Sequence, residues 1–494
     1  MKSPDHLLLC FVLLLFCPLA LRGQNFTPSF TPTEKDLFDI KQKESYTFGY
    51  LEVLENRAKP NGKTIRLPVY IFKSKSENPQ KDPVLYTVGG PGYTTMSSAP
   101  YANYYSYLAD RDLIFFEQRG TTYAEPHLSC VEWANAQREA AYPGVSAAQK
   151  AKLLATAAEA CRNRLEAADI DLNTYNTATI AADIEDLRKA LNIEKWNLLS
   201  LSYSTKIAQV LMRDYPAGIR SVVMDSPLPL EVNYEEETIS NMLLVLDQIL
   251  ADCASNEACS TAFPDLRDRF IAFLVEKTQS PHALTILDPK GNDPLTFQLH
   301  GKDLIQLLQS FSTSAVPLIP QRIAQVLAGD YSYIEQQLVA LLNSPIKGDG
   351  IGMRISVWCT EETPFVSPKA VAEESDRYPA IEGISAGMYD EEICDIWGVR
   401  PAKAMENQAV SSTIPVLLIS GSYDNATPVK WATDMTQRFP NSFHLIFKGW
   451  GHGPTTNWGE PCAMQAANAF FNNPSIKPEL DCIAQLKTPI FKTE

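Results

Sequence analysis

Trp196-Asn-Leu-Leu-Ser-Leu-Ser-Tyr-Ser-Thr205 runs from a dense apolar stretch through three alternating serines into a segment of helical periodicity. The apolar part reads as a strand buried on both faces, and residues 205–213 read as a helix. A strand that stops at a serine and turns directly into a helix predicts a nucleophile elbow. In that turn the residues two places either side of the serine must be small, and the usual pattern is G-x-S-x-G. Ser200-Leu-Ser202-Tyr-Ser204 keeps the flanks small but puts serine in both glycine positions. Ser202 is the candidate nucleophile, because it alone is centred between two small flanks. The plain alternative is a serine-rich strand end.

Working outward, the same alternation recurs. Residues 45–55 and 64–73 are β-patterned, and Asp82-Pro-Val-Leu-Tyr-Thr-Val88 is an apolar strand that stops at Gly89-Gly-Pro-Gly92. Leu113-Ile-Phe-Phe116 ends at Glu117-Gln-Arg-Gly120, and Ile180, Ile184, Leu187 and Leu191 repeat at helical spacing. Ser221-Val-Val-Met-Asp225 is a further strand. Short buried strands alternating with amphipathic helices predict an α/β fold, with a mostly parallel central sheet covered by helices on both faces. From residue 229 to 405 the rhythm breaks. This stretch reads as mainly helical, with one apolar stripe over Ile239, Met242, Leu243, Leu246, Ile249 and Leu250 and more helix in 318–342. The pattern resumes with a strand at 414–420, a helix at 429–438, a strand at 443–447 and a helix at 462–471. The expected organisation is a core in two parts, 24–228 and 406–494, with a helical cap inserted at 229–405. Such a cap would stand above the carboxyl ends of the strands, where open α/β sheets bind ligands.

Two further motifs sit at strand ends. Gly421-Ser-Tyr-Asp424 follows the strand at 414–420, where a carboxylate can accept a proton from a histidine Nδ1 and fix its tautomer. Gly449-Trp-Gly-His452-Gly453 follows the next strand. Of the six histidines, only His452 has this glycine-lined strand-end setting. The chain order Ser202, Asp424, His452 is that of the α/β-hydrolase fold. An oxyanion site is legible as well: one donor is the N–H of Tyr203, and the other comes from Gly89 or Gly90.

Gly-Gly-Pro-Gly92, Gln118-Arg-Gly120, Ser202-Tyr-x-Thr205, Asp424 and His452 together resemble the prolyl aminopeptidase and tripeptidyl aminopeptidase group of α/β-hydrolases, the exported tripeptidyl branch in particular. The resemblance covers nearly all of the chain after residue 23. It implies a serine hydrolase that removes short N-terminal units (tripeptide, dipeptide or proline-type) through an acyl-enzyme, with Ser202 as nucleophile, His452 as base and acid, and Asp424 as orienter. It also implies that cap carboxylates read the substrate's ammonium. Cys359-Thr-Glu361-Glu362 matches that acidic stretch, with Glu361 in front and Glu362 behind, and Arg119 as a structural brace. Departures from the family are the serines flanking the elbow, Glu117 in place of an aspartate, and no glycine in Thr121-Thr-Tyr-Ala-Glu125. A carboxylesterase, or a non-catalytic binding protein on the same scaffold, are the competing functions.

Composition bounds the rest. The 494 residues carry a net charge of -15, which argues against nucleic acid or an anionic membrane as partner. Short peptides are the expected partners, no cofactor or metal is expected, and the oligomeric state is left open. The apolar run 7–21, with Lys2 before it, reads as an export signal ending near residue 23, followed by no further span. A secreted or periplasmic location follows. Cys10 and Cys17 lie in that signal, leaving Cys130, Cys161, Cys253, Cys259, Cys359, Cys394, Cys462 and Cys482. Nearness along the chain couples them 130/161, 253/259, 359/394 and 462/482 as disulfides. Asn425-Ala-Thr427 is a glycosylation sequon beside Asp424, a mild hint of a bacterial host.

Overall fold

The computed structural model describes residues 26–41, 45–291, 293–308, 312–378, 381 and 389–493. The expected export signal lies outside them. Eleven strands are defined: β1 (Ser29–Pro32), β2 (Tyr46–Leu54), β3 (Thr64–Phe72), β4 (Val84–Thr87), β5 (Leu113–Phe116), β6 (Trp196–Leu201), β7 (Ile219–Asp225), β8 (His282–Leu287), β9 (Pro294–Leu299), β10 (Val416–Gly421) and β11 (Ser442–Phe447). Nine form one sheet in the order β1-β2-β3-β5-β4-β6-β7-β10-β11. The first three are antiparallel, and from β5 to β11 every neighbour is parallel.

The interior strands are covered on both faces, so their side chains divide by alternation rather than by polarity. Leu198, Val222 and Leu418 enter one apolar layer, packed under the helices Thr177–Ala190 and Ser204–Asp214. Their neighbours Leu199, Val223 and Leu417 enter the opposite layer, against the helix Cys462–Asn472. The chain leaves β4 toward β5 on one side and β6 toward β7 on the other. A crevice therefore opens between the carboxyl ends of β4 and β6, the switch point where ligands bind in open α/β sheets. Gly89 follows β4 and Ser202 follows β6, so both candidate elements meet there.

The inserted region departs from the expectation in two ways. It contains a hairpin, β8 with β9, whose alternating burial matches one covered face. It is also not one packing unit. Helices from Thr238–Ala254 through Ser332–Asn343 and the hairpin share their own apolar cluster. Met353, Ile355, Val357, Ile393 and Trp397, however, belong to the core beside the sheet. The helix Ile351–Glu361 is thus rooted in the sheet-bearing half, although it lies in the inserted stretch.

Disulfides pair Cys130 with Cys161, Cys253 with Cys259, Cys359 with Cys394 and Cys462 with Cys482. The third fastens the end of Ile351–Glu361 to the helix Glu391–Trp397. No helix of the described residues is long and apolar enough to cross a membrane.

Candidate active site

Ser202 stands at φ +60°, a left-handed conformation that costs a non-glycine residue of order 1–3 kcal/mol and persists only where neighbours enforce it. Its N–H donates to Asp225 O at 2.9 Å, continuing the β6–β7 ladder past the strand end. Ser204 explains its own presence in a glycine position. Its Oγ accepts from Leu201 N at 2.8 Å and donates to Thr87 O at 2.8 Å, tying the elbow to β4. Gly89 tolerates no substitute, because a Cβ there would lie 2.7 Å from Ser202 Cβ and 2.8 Å from Tyr203 N. Ser200 is buried within β6, where it pairs with Thr87 and Met224.

Asp424 and His452 lie on the loops after β10 and β11. His452 Nδ1 is 2.9 and 2.8 Å from the two carboxylate oxygens of Asp424, and donates to them. Asp424 is fully enclosed and accepts further bonds from Ala426 N at 3.0 Å, Thr427 N at 2.9 Å and Thr427 Oγ1 at 2.7 Å. Burial opposes its ionisation, but the His452 charge and these donors hold its carboxyl below the usual range. Burial by itself would lower His452. The Asp424 carboxylate, with a smaller pull from Asp225, outweighs that and raises it above its ordinary value. The imidazole remains about a third exposed (34%) and so is open to the cavity.

Ser202 and His452 line one cavity of about 690 Å³, together with Gly89, Gly90 and Tyr203. Among the described residues, the N–H groups of Gly89, Gly90 and Tyr203 make no backbone hydrogen bond. The Gly89–Gly92 loop is braced from the helix Ile351–Glu361. Gly350 packs backbone to backbone on Gly92, and Arg354 donates through Nε to Pro91 O at 2.9 Å while covering the Tyr93 ring. Glu117 serves the same loop, accepting from Thr94 Oγ1 at 2.8 Å and Thr95 N at 3.0 Å. Arg119 is buried in a two-pronged pair with Asp183, away from the cavity.

The acidic pair is ordered the other way round from the sequence expectation. Glu362, not Glu361, lines the cavity. Glu361 is spent behind it, accepting from Thr177 N at 2.6 Å and from Thr177 Oγ1 at the start of the helix Thr177–Ala190. The reason is helical: adjacent residues point about 100° apart, so only one can face the cavity. Glu362 in turn pairs with buried Lys206, four residues past Ser202. Its other oxygen has a single long contact, Tyr234 N at 3.5 Å.

Burial drives the Glu361 carboxyl up to about 7, against the Thr177 hydrogen bonds and the Lys206 charge. Its proton is therefore held to higher pH in the folded protein than in the unfolded chain. Its contribution to stability falls as pH rises from about 4.5 to about 7 and then levels, by up to about 3 kcal/mol. Relative to wild type, Glu361→Gln should melt higher at pH 8 than at pH 5. A melting-temperature difference that does not change with pH would show that Glu361 ionises freely.

Lys206, Thr427, Asp225 and Arg354 escape the sequence reading. Only Lys206 carried a signal, a charge in the first turn of the helix that follows Ser202, next to apolar Ile207 and Ala208. Asp225 takes Thr455 N at 2.8 Å on its buried carboxylate, while Ser226 Oγ takes Gly453 N at 2.8 Å. Those bonds fix the His452 loop to the elbow's neighbouring strand.

A family model described as TAP-like protein matches residues 380–482, the segment that carries Asp424 and His452. The tripeptidyl aminopeptidase of Streptomyces coelicolor is 26% identical over 452 residues, covering 85% of this chain and 80% of that protein. The serine protease Hip1 of Mycobacterium tuberculosis is 22% identical over 471 residues, covering 89% and 88%. A putative hydrolase of Escherichia coli, YuaR, is 22% identical over 436 residues, covering 85% and 83%. The resemblance expected from short motifs thus extends along most of the chain.

Proposed function

Taking this chain as an α/β-hydrolase with the character of a serine peptidase, we propose that it is an exported aminopeptidase releasing short N-terminal units from peptides. The observation that carries the reading is one cavity holding a strained serine, a carboxylate-bound histidine and, on a wall of apolar and aromatic side chains, Glu362. Ser202 Oγ attacks the carbonyl carbon as His452 Nε2 takes its proton. The oxyanion is held by Tyr203 N–H and by Gly89 or Gly90. His452 then protonates the departing amine, and a water molecule, deprotonated by the same imidazole, releases the acyl group.

Glu361, Glu362 and Lys206 sum to one negative charge when both carboxyls are ionised. An incoming ammonium at the open Glu362 oxygen would neutralise the cluster, and binding would in turn favour the ionised form of Glu361. Export is supported by the four disulfides and the signal-like first residues. The Lys206–Glu362 pair also favours a second reading, a carboxylesterase whose cavity has its anion already answered.

Acetylating the substrate's N-terminus separates the two. For an aminopeptidase, acetylation should lower kcat/KM by about 10²-fold, as expected when one partner of a desolvated charge pair is lost. Glu362→Gln should bring a similar loss on the free amine and remove most of the sensitivity to acetylation. Equal cleavage of blocked and free peptides, with rapid turnover of short-acyl esters, would establish the esterase instead.

A further inference from the structure

We propose that Trp458, with Tyr101 and Tyr104, forms a leaving-side subsite that takes an aromatic side chain just after the scissile bond. The proposal rests on the peptidase reading of the Ser202 site and adds the preference on its departing side. Trp458 lines the catalytic cavity together with His452 and Thr456. Its ring lies parallel to that of Tyr104 (centroids 5.7 Å apart, 8° between planes), 5.2 Å from Tyr101 and edge-on to Tyr105 at 5.9 Å.

Tyr101 and Tyr104 are 48% and 65% exposed. Single exposed aromatics are unremarkable on a protein surface, but contiguous rings that continue a catalytic cavity outward are not scattered ones. The indole Nε1–H has no acceptor among the described residues, so ring contacts rather than a hydrogen bond hold the face in place. Both walls are built on fixed elements. The 3₁₀ segment Met96–Tyr104 is anchored at its start by the Glu117 carboxylate. The loop carrying Trp458 is closed by Thr456 Oγ1 on Gly453 O at 2.7 Å and Trp458 N on Thr456 O at 3.0 Å.

The direction follows from the chemistry. The departing amine must collect its proton from His452, so the leaving chain passes the His452 side, and Trp458 stands six residues along that same loop. Glu362 belongs to other surroundings, where Tyr234 packs on Trp358 at 6.2 Å and on Trp431 at 6.0 Å. On this reading the amine and the leaving chain meet different aromatic side chains of the one cavity.

Two peptides with the same first three residues, followed by phenylalanine amide or glycine amide, test the assignment. The wild type should cleave the phenylalanine peptide with roughly tenfold higher kcat/KM, the scale of one aromatic contact. Trp458→Ala should bring that ratio close to one, and Tyr104→Ala, at an exposed position, should reduce it. Reading a ratio within each variant removes any general loss of activity. A ratio of one in the wild type, or a preference that survives both substitutions, overturns the subsite while leaving the peptidase reading intact. If neither peptide is cleaved and simple esters are, the peptidase reading falls and the subsite falls with it.

Discussion

Ser202→Ala should lower kcat by as much as ~10⁶, with the fold retained. The substitution removes only the hydroxyl at a position whose unusual backbone is imposed by its surroundings: Asp225 O on its N–H, Ser204 cross-bonded to β4, and Gly89 packed on its Cβ. Neither neighbouring serine can substitute. Ser200 is enclosed in the strand, and the Ser204 hydroxyl is committed to Thr87 O and to the Leu201 backbone. Adding His452→Ala to Ser202→Ala should cost little more, because a base with no nucleophile to serve has no work left in the step. The remaining rate would come from the oxyanion donors and substrate binding. Measured kcat, together with labelling by a serine-directed phosphonate, decides the matter. Full activity or undiminished labelling in Ser202→Ala would place the nucleophile elsewhere.

The parts of the fold that the sequence displays are those whose side chains all answer to one environment. β4, β5, β6 and β10 are covered on both faces, so each appears as a mostly apolar run with few polar residues, and their ends carry the motifs. The helices Val131–Ala140 and Ala147–Ala167 leave no comparable trace. They are rich in alanine and charge, and bury only a few residues each, so the apolar stripe that marks a helix is too thin to see. The hairpin β8–β9 hides for a related reason, since only alternate residues are covered. At the site, residues that act through side chains at strand ends stand out. Those that act through burial do not. Asp225 looks like the end of an apolar strand, and Thr427 looks like part of a sequon. Whether Glu361 or Glu362 faces the cavity depends on a helix rotation that two identical adjacent residues cannot reveal.

The long inserted stretch invites the view of a detachable lid, but its packing says otherwise. Ile351–Glu361 carries Arg354 onto the Gly89–Gly92 loop and leads into Glu362 on the cavity wall, and its apolar face is buried in the core beside the sheet. One helix rooted in that core therefore braces both the Glu362 wall and the glycine loop. Among the described residues, the outer part of the insert reaches the Asp424 loop through Tyr423, whose ring lies in its apolar cluster and whose OH donates to Asp252 at 2.5 Å, and reaches the His452 loop through Thr313 Oγ1, which accepts from Gly451 N at 3.0 Å. Changes in the outer helices should therefore reach the site through the Asp424 and His452 loops, where the Asp424 carboxylate holds the imidazole.

Asp424→Asn should lower kcat by about 10⁴ with little change in KM, because it presents the wrong tautomer rather than removing the base. The surroundings dictate how the amide sits. Ala426 N and Thr427 N both donate to Oδ1, so the amide oxygen takes that place, and the amide nitrogen falls at Oδ2, the nearer of the two oxygens to His452 Nδ1 (2.8 Å against 2.9 Å). An N–H there turns Nδ1 into an acceptor and moves the imidazole proton to Nε2, leaving no lone pair for the Ser202 hydroxyl. The pH profile gives a second, independent readout. In the wild type, kcat/KM should rise with pH through a value above the ordinary 6.5 of histidine, since the neutral ring is the active form and Asp424 favours the charged one. Removing that negative charge leaves burial dominant, so the rising limb of Asp424→Asn should move to lower pH even as the plateau falls. A variant with a low plateau and an unmoved limb would mean that a different carboxylate holds the histidine, and Asp225, the other anion acting on it, would be the residue to substitute next.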